Sequence, residues 1–377
     1  MVSLNKEQVG LIEILKAALF DLSPKIPESI NWDNLLKFAK DQCIVPLVIA
    51  YVPAENRNEW LQISYQIRAH YMQMIYEQDS LVKLFKANNI PLAIFKGTAA
   101  AIYYPNPSLR TFGDVDFYIP ENQWESAVNL LEKNGYLFFS KDSREYEFNK
   151  NGIEFELHSM ISSKHYNNID HIYNNGLKNV VEYKIGNVAF PGFPTYENGL
   201  ILLGHIMQHL KETGIGLRQI LDWMMYVHNE LDDLAWEKYF KAFAVEAGLE
   251  KLAITVTYMC KKWFGLPDNI TWCNGADEKI ADQLLIRVFE DGNFGHNRAL
   301  FENIKRYIRN EGLFKYLQRA GIDNWSLAQK YKIFRPFAWV YQICVLFIKG
   351  VIGLVNGKKV FRKANRNMSL EELLEKL

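Results

Sequence analysis

Arg110-Thr111-Phe112-Gly113-Asp114-Val115-Asp116-Phe117-Tyr118-Ile119 places two carboxylates two residues apart in a run rich in apolar side chains. On a strand, Asp114 and Asp116 point to one face, while Val115, Phe117 and Ile119 point to the other and can enter a core. A solvated polar face is the ordinary explanation of such alternation. Aspartate is depleted in strands, however, and two carboxylates held side by side repel unless a cation lies between them. Hard divalent cations such as Mg²⁺ take oxygen ligands, often one or two carboxylates together with substrate phosphates. The pattern therefore describes a strand that buries one side and offers metal ligands on the other.

Upstream, Leu92-Ala93-Ile94-Phe95 predicts a short buried strand running into the turn Lys96-Gly97-Thr98. Glycine suits any strand-to-helix turn, but backbone N–H groups at such a turn can also approach a phosphate. Downstream, Gly152-Ile153-Glu154-Phe155-Glu156-Leu157-His158 alternates strictly. Ile153, Phe155 and Leu157 share one face, and Glu154, Glu156 and His158 share the other. Alternation does not choose between Glu154 and Glu156 as a third acid. If this strand pairs with the Asp114 strand, three or four carboxylates converge.

This ordered set resembles the nucleotidyltransferase fold of the polymerase beta superfamily: a small-residue turn, an acid-x-acid strand and a later third acid. More closely, it is similar to an uncharacterised bacterial nucleotidyltransferase-like family. The similarity rests on Lys96-Gly97, Arg110, the Asp114-Val115-Asp116 pair, Glu156-Leu157-His158 and the stretch Gly216-Leu217-Arg218-Gln219-Ile220-Leu221-Asp222-Trp223. Thr98 stands where the superfamily usually has a second Gly or a Ser. The resemblance covers roughly residues 85 to 250. It implies Mg²⁺ held by Asp114, Asp116 and Glu156, with Glu156 preferred over Glu154 because it precedes Leu157-His158. It further implies a nucleoside triphosphate, such as ATP, contacted by Lys96, Gly97, Thr98 and Arg110. The implied reaction moves a nucleoside monophosphate to the hydroxyl of an unknown small-molecule or protein acceptor. A non-catalytic nucleotide-binding or assembly protein on the same fold is the alternative.

The fold expected is α+β: a small mixed-sheet nucleotidyltransferase core over residues 89–192, flanked by helical units at 1–88 and 193–377. Helical spacing recurs from Val9 to Ala18 and from Ile63 to Leu84. Pro120 suits a helix start, and Asn134-Gly135 a helix end. Tyr136–Phe139 and Glu145–Phe148 read as strands, Asn151-Gly152 as a hairpin turn, and Val188–Pro191 as a last strand or edge. Beyond Thr195 the chain reads as helical, with Asp291-Gly292-Asn293-Phe294-Gly295 as a loop. His205 and His209 have zinc-compatible spacing but lack an intervening glutamate, so core or capping roles are expected. Arg218 and Asp222 read as a helix salt bridge, with phosphate contact by Arg218 the lesser option. His158 reads as a structural neighbour of the site rather than a ligand.

Lys+Arg and Asp+Glu both total 43, so formal net charge is zero. General nucleic-acid binding, which needs a basic footprint, is disfavoured. Cys43, Cys260, Cys273 and Cys344 lack metal or redox spacing, which fits free thiols in a reducing compartment. The first residues lack the apolar core of a signal peptide, so a cytoplasmic location is expected. Phe337–Val355 approaches the length of a membrane span, but Lys349 interrupts it. A buried helix is expected there. The alternative is peripheral membrane contact, helped by Lys358, Lys359, Arg362, Lys363 and Arg366.

Overall fold

The computed structural model describes residues 4–141, 145–161, 169–293, 308, 312–325, 327–328, 331–355 and 368–377. The strands are β1 (Ala93–Phe95), β2 (Val115–Tyr118), β3 (Leu137–Lys141), β4 (Glu145–Lys150), β5 (Ile153–His158), β6 (Val181–Ile185) and β7 (Val188–Gly192). They form one mixed sheet in the order β3-β4-β5-β2-β1-β7-β6. β2 runs parallel to β5 and antiparallel to β1. Helices precede and follow the sheet in the chain, so the α+β expectation is met.

The central alternation behaves as read. Val115, Phe117, Phe155 and Leu157 are buried with Ile94 on one sheet face. Leu81 and Phe85 of the Arg57–Ala87 helix and Ala127 and Leu131 of the Trp124–Lys133 helix join the same cluster. Ala93, Phe95 and Tyr118 belong to a second cluster. That cluster unites Leu11 and Leu36 from the first helices with Leu203 and Met207 of the Thr195–Lys211 helix. Residues distant in sequence therefore share one apolar core, and the acid-bearing sheet face is turned toward it.

The β4–β5 hairpin is set by its turn. Asn151 and Gly152 both have positive φ, 53° and 82°. A two-residue turn of that hand matches the right-handed twist of the paired strands. It pairs Lys150 with Ile153 and, five steps on, Glu145 with His158.

Val188–Pro191, read as a last strand or an edge, falls in β7, which is the last strand among the described residues and lies inside the sheet between β1 and β6. The edge on that side is β6, whose largely exposed residues carry too weak an apolar alternation to announce a strand. One expectation needs correction: the Ala338–Val355 helix is not buried. It packs one side on the Leu313–Asn324 helix and leaves Ile343, Phe347 and Ile348 exposed. No helix among the described residues is long and apolar enough to cross a membrane. Phe294-Gly295 of the expected loop and the basic group Lys358 to Arg366 lie outside the described residues.

Candidate active site

Because β2 and β5 are parallel neighbours in register, Asp116 stands beside Glu156 and Tyr118 beside His158. Partners in such a pair share a sheet face. Phe95 of β1 pairs with Asp116, and the next residue, Lys96, enters the site from the end of β1. Lys96 has φ 53° and ψ −120°, a conformation that L side chains rarely adopt. Strain of that kind costs about 1–3 kcal/mol and persists where surrounding structure imposes it. Its consequence is visible: Lys96 Nζ donates to Asp116 Oδ1 at 2.6 Å.

His158 closes the group from the β5 side. Its Nε2 lies 3.0 Å from Asp116 Oδ1 and 3.3 Å from Glu156 Oε2, while its Nδ1 lies 3.3 Å from Glu145 Oε2. The Phe95 ring packs against the His158 ring with centroids 5.0 Å apart. Burial would raise the Asp116 pKa, but the Lys96 charge and the His158 hydrogen bond hold it well below the usual range. Burial and then the Asp116 charge push Glu156 up to about 7. Burial disfavours a charged His158, yet hydrogen bonds to Asp116 and Glu156 outweigh it and raise its pKa. Lys96 is likewise raised, because Asp116 and Glu156 outweigh its burial.

Asp114 precedes β2 and is partly exposed. Its pKa is raised by burial and by the Asp116 charge, while Lys96 and Arg218 act the other way. Gly97 opens the short Gly97–Ala101 helix, and a Cβ there would lie 3.4 Å from Asp114 O. Thr98 is buried and donates its hydroxyl to Gln78 Oε1 at 2.6 Å. Only its backbone is left to serve a ligand. Arg110 is also buried, with its fork closed on Asp222: Nε to Oδ1 2.8 Å and Nη2 to Oδ2 2.7 Å. Tyr104 donates to the same carboxylate at 2.9 Å. In this state Arg110 ties the approach to β2 to the Leu217–Glu230 helix. Glu154 is exposed and pairs with Asn149, away from Asp116.

A cleft lies beside the group, lined by Lys96, Glu145 and His158 from the sheet and by Ile201, His205 and Gln208 from the Thr195–Lys211 helix. His205 Nε2 meets His209 Nε2 at 2.9 Å, and His209 Nδ1 meets Thr213 Oγ1 at 2.7 Å. Burial and the neighbouring His209 hold His205 well below its ordinary pKa, so the pair shares hydrogen bonds as neutral rings.

Asp116, Glu156 and His158 each offer one ligand atom, all within 4.8 Å of one another. Two ligand atoms at right angles about 2.1 Å from a divalent ion lie about 3 Å apart. The 3.0 and 3.3 Å separations match that spacing. The high proton affinity of Glu156 marks a place where positive charge is wanted. Two carboxylates and an imidazole therefore fit a divalent cation, the carboxylates suiting Mg²⁺ or Mn²⁺ and the imidazole a borderline ion such as Zn²⁺.

The profile of a protein family described as uncharacterised nucleotidyltransferases matches residues 28–265, more than half of the chain. The chain belongs to this family. The match spans the whole sheet and the helices that form the cleft wall. A comparison with curated proteins finds no match.

The expected third acid, Glu156, is the one that meets Asp116. His158, read from sequence as a neighbour of the site rather than a ligand, lies against Asp116 and Glu156, on the acid face where its i+2 spacing from Glu156 placed it. Sequence reading missed Glu145, which the symmetry of the Asn151-Gly152 hairpin would have put opposite His158. His205 and Gln208 carried no such signal, because a helix far along the chain brings them to the cleft.

Proposed function

We propose that this nucleotidyltransferase moves a nucleoside monophosphate from a triphosphate such as ATP to a hydroxyl of a small-molecule or protein acceptor. The observation that carries the reading is the in-register Asp116–Glu156 pair, with Lys96 held against it by a strained turn. Asp116, with Asp114 before it, would hold a divalent ion, Mg²⁺ or Mn²⁺. When bound, such an ion offsets charge on the triphosphate and orients it. Glu156 lies close enough to complete the ion's sphere or to take the acceptor's proton. The acceptor oxygen bonds to the α-phosphorus, the bond from that phosphorus to the bridging oxygen breaks, and pyrophosphate leaves. Lys96 offsets charge on the leaving group, and the backbone at Gly97 and Thr98 cradles it. Arg110 supports the site through Asp222 rather than through the nucleotide.

A second reading has its own observation. Lys96 and, when protonated, His158 already supply Asp116 with positive partners, so the acid group can persist without a metal ion. One experiment separates the two. The chain is incubated with α-labelled triphosphates, Mg²⁺ or Mn²⁺ and a metabolite extract, and pyrophosphate and labelled products are followed. Label transfer with pyrophosphate release supports the transferase. Calorimetric binding of a non-hydrolysable triphosphate without transfer of label supports the binding protein.

A further inference from the structure

The Ala338–Val355 helix presents Val340, Ile343, Cys344, Phe347 and Ile348 to solvent. These positions follow i, i+3, i+4, i+7 and i+8 spacing, which is one stripe along a helix. Phe347 is 72% exposed and Ile333, on the approach to the helix, 76%. The opposite side is satisfied: Gln342 is buried, and Trp339 and Leu346 pack against Leu317 and Ala320. Gly321 lets the two helices close tightly, since a Cβ there would overlap the Ala338 backbone. Soluble surfaces scatter large apolar side chains singly, so a continuous aliphatic and aromatic stripe marks a docking face.

Charge says what covers it. Residues 331–370 contain eight Lys or Arg and no Asp or Glu, in a chain whose totals balance at 43 and 43. Lys332 is exposed immediately beside Ile333. An apolar protein surface has no need of such one-sided charge, and a nucleic acid has no use for an aliphatic stripe. An anionic bilayer surface takes both an apolar stripe and an excess of cations in the same stretch of chain. We infer that this helix lies in the plane of an anionic phospholipid membrane and seats the protein there by its Val340–Ile348 stripe. The inference is independent of the chemistry assigned to the cleft.

Sedimentation of the full chain with sucrose-loaded vesicles tests it, comparing phosphatidylcholine alone with phosphatidylcholine mixed with phosphatidylglycerol. Partitioning onto the anionic vesicles is expected to be at least about tenfold greater and to weaken as salt is added. Replacing the exposed pair by Ile343→Asn and Phe347→Asn should lower it at least about tenfold, with an unchanged melting curve. Lys332→Glu with Lys358→Glu and Lys359→Glu should lower it by a similar factor and leaves the stripe intact. Equal partitioning onto neutral vesicles, or unaltered partitioning in both variants, overturns the inference. So does light scattering that shows the stripe variant splitting a dimer while vesicle binding persists.

Discussion

Arg110 grips Asp222 through two parallel hydrogen bonds, 2.8 and 2.7 Å, inside the protein and across 112 residues of sequence. Breaking a buried pair by removing one partner leaves the other charge uncompensated, at a cost of about 3–5 kcal/mol. Asp222→Ala is expected to destabilise the chain on that scale, as read by urea or thermal unfolding. Arg110→Lys should also destabilise, because an ammonium cannot make the forked contact. A variant of Arg110 that unfolds normally yet binds triphosphate poorly would return this residue to the phosphate site.

Asp116→Asn is expected to lower metal-dependent turnover at least about a hundredfold, the scale of losing one oriented electrostatic group. The fold should persist, since Asn keeps the shape of the side chain. Asp114→Asn should also lose turnover, and removing its charge relieves repulsion with Asp116. Full pyrophosphate release in either variant sinks the catalytic assignment.

Glu156→Gln should harm turnover far more than Glu154→Gln, because only Glu156 stands beside Asp116. The same residue sets a pH signature in metal-free protein. Its folded pKa lies above the ordinary 4.5, near 7, so the folded state binds the proton more tightly than the unfolded one. That contribution is complete below about pH 4.5 and is lost as pH rises through about 7. His158, also raised, acts in the same direction from its ordinary 6.5 upward. Asp116, lowered, acts oppositely and only in acid, below its ordinary 3.8. The buried His205 and His209, both lowered, act the other way below their ordinary 6.5, so Glu156 is read as a difference: the stability of the parent relative to Glu156→Gln in EDTA should fall as pH rises from about 5 to about 7. A difference between the two proteins that does not change with pH would contradict the proton affinity of Glu156.

Lys96→Met removes the cation that now neutralises Asp116. Mn²⁺ affinity, measured by electron paramagnetic resonance, should rise about tenfold or more, equivalent to about 1.4 kcal/mol. Nucleotide turnover should nonetheless fall, because the leaving group loses its countercharge. Unchanged Mn²⁺ affinity would mean that the ion does not share Asp116 with Lys96.

Gly97→Val places a branched side chain where a Cβ already meets Asp114 O at 3.4 Å. If the backbone of this turn approaches the triphosphate, calorimetric nucleotide affinity should drop about tenfold or more while Mn²⁺ binding is less affected. A variant that melts as the parent does and binds nucleotide equally well would reduce Gly97 to a turn residue.

The chain order of the acid-x-acid strand, its upstream turn and the later acid strand was legible because each rests on local rules. Period-2 alternation sets Asp116 opposite Val115 and Phe117 on its own strand and Glu156 with His158 on theirs, from neighbouring residues alone, and Asn151-Gly152 pins the register of its own hairpin. Parallel pairing of β2 with β5 is different in kind. The two strands are separated by a helix and two further strands, so nothing local sets their register, yet that register decides which glutamate meets Asp116. Side-chain partnership was equally hidden. Arg110 looks like a free cation in sequence, and only the packing of the Leu217–Glu230 helix turns it inward to Asp222. The same holds for His205, brought over the cleft by the Thr195–Lys211 helix, and for the stripe on Ala338–Val355. Hydropathy measures how apolar a helix is. Whether that apolar face is buried depends on whether another element covers it, which is a property of the tertiary structure alone.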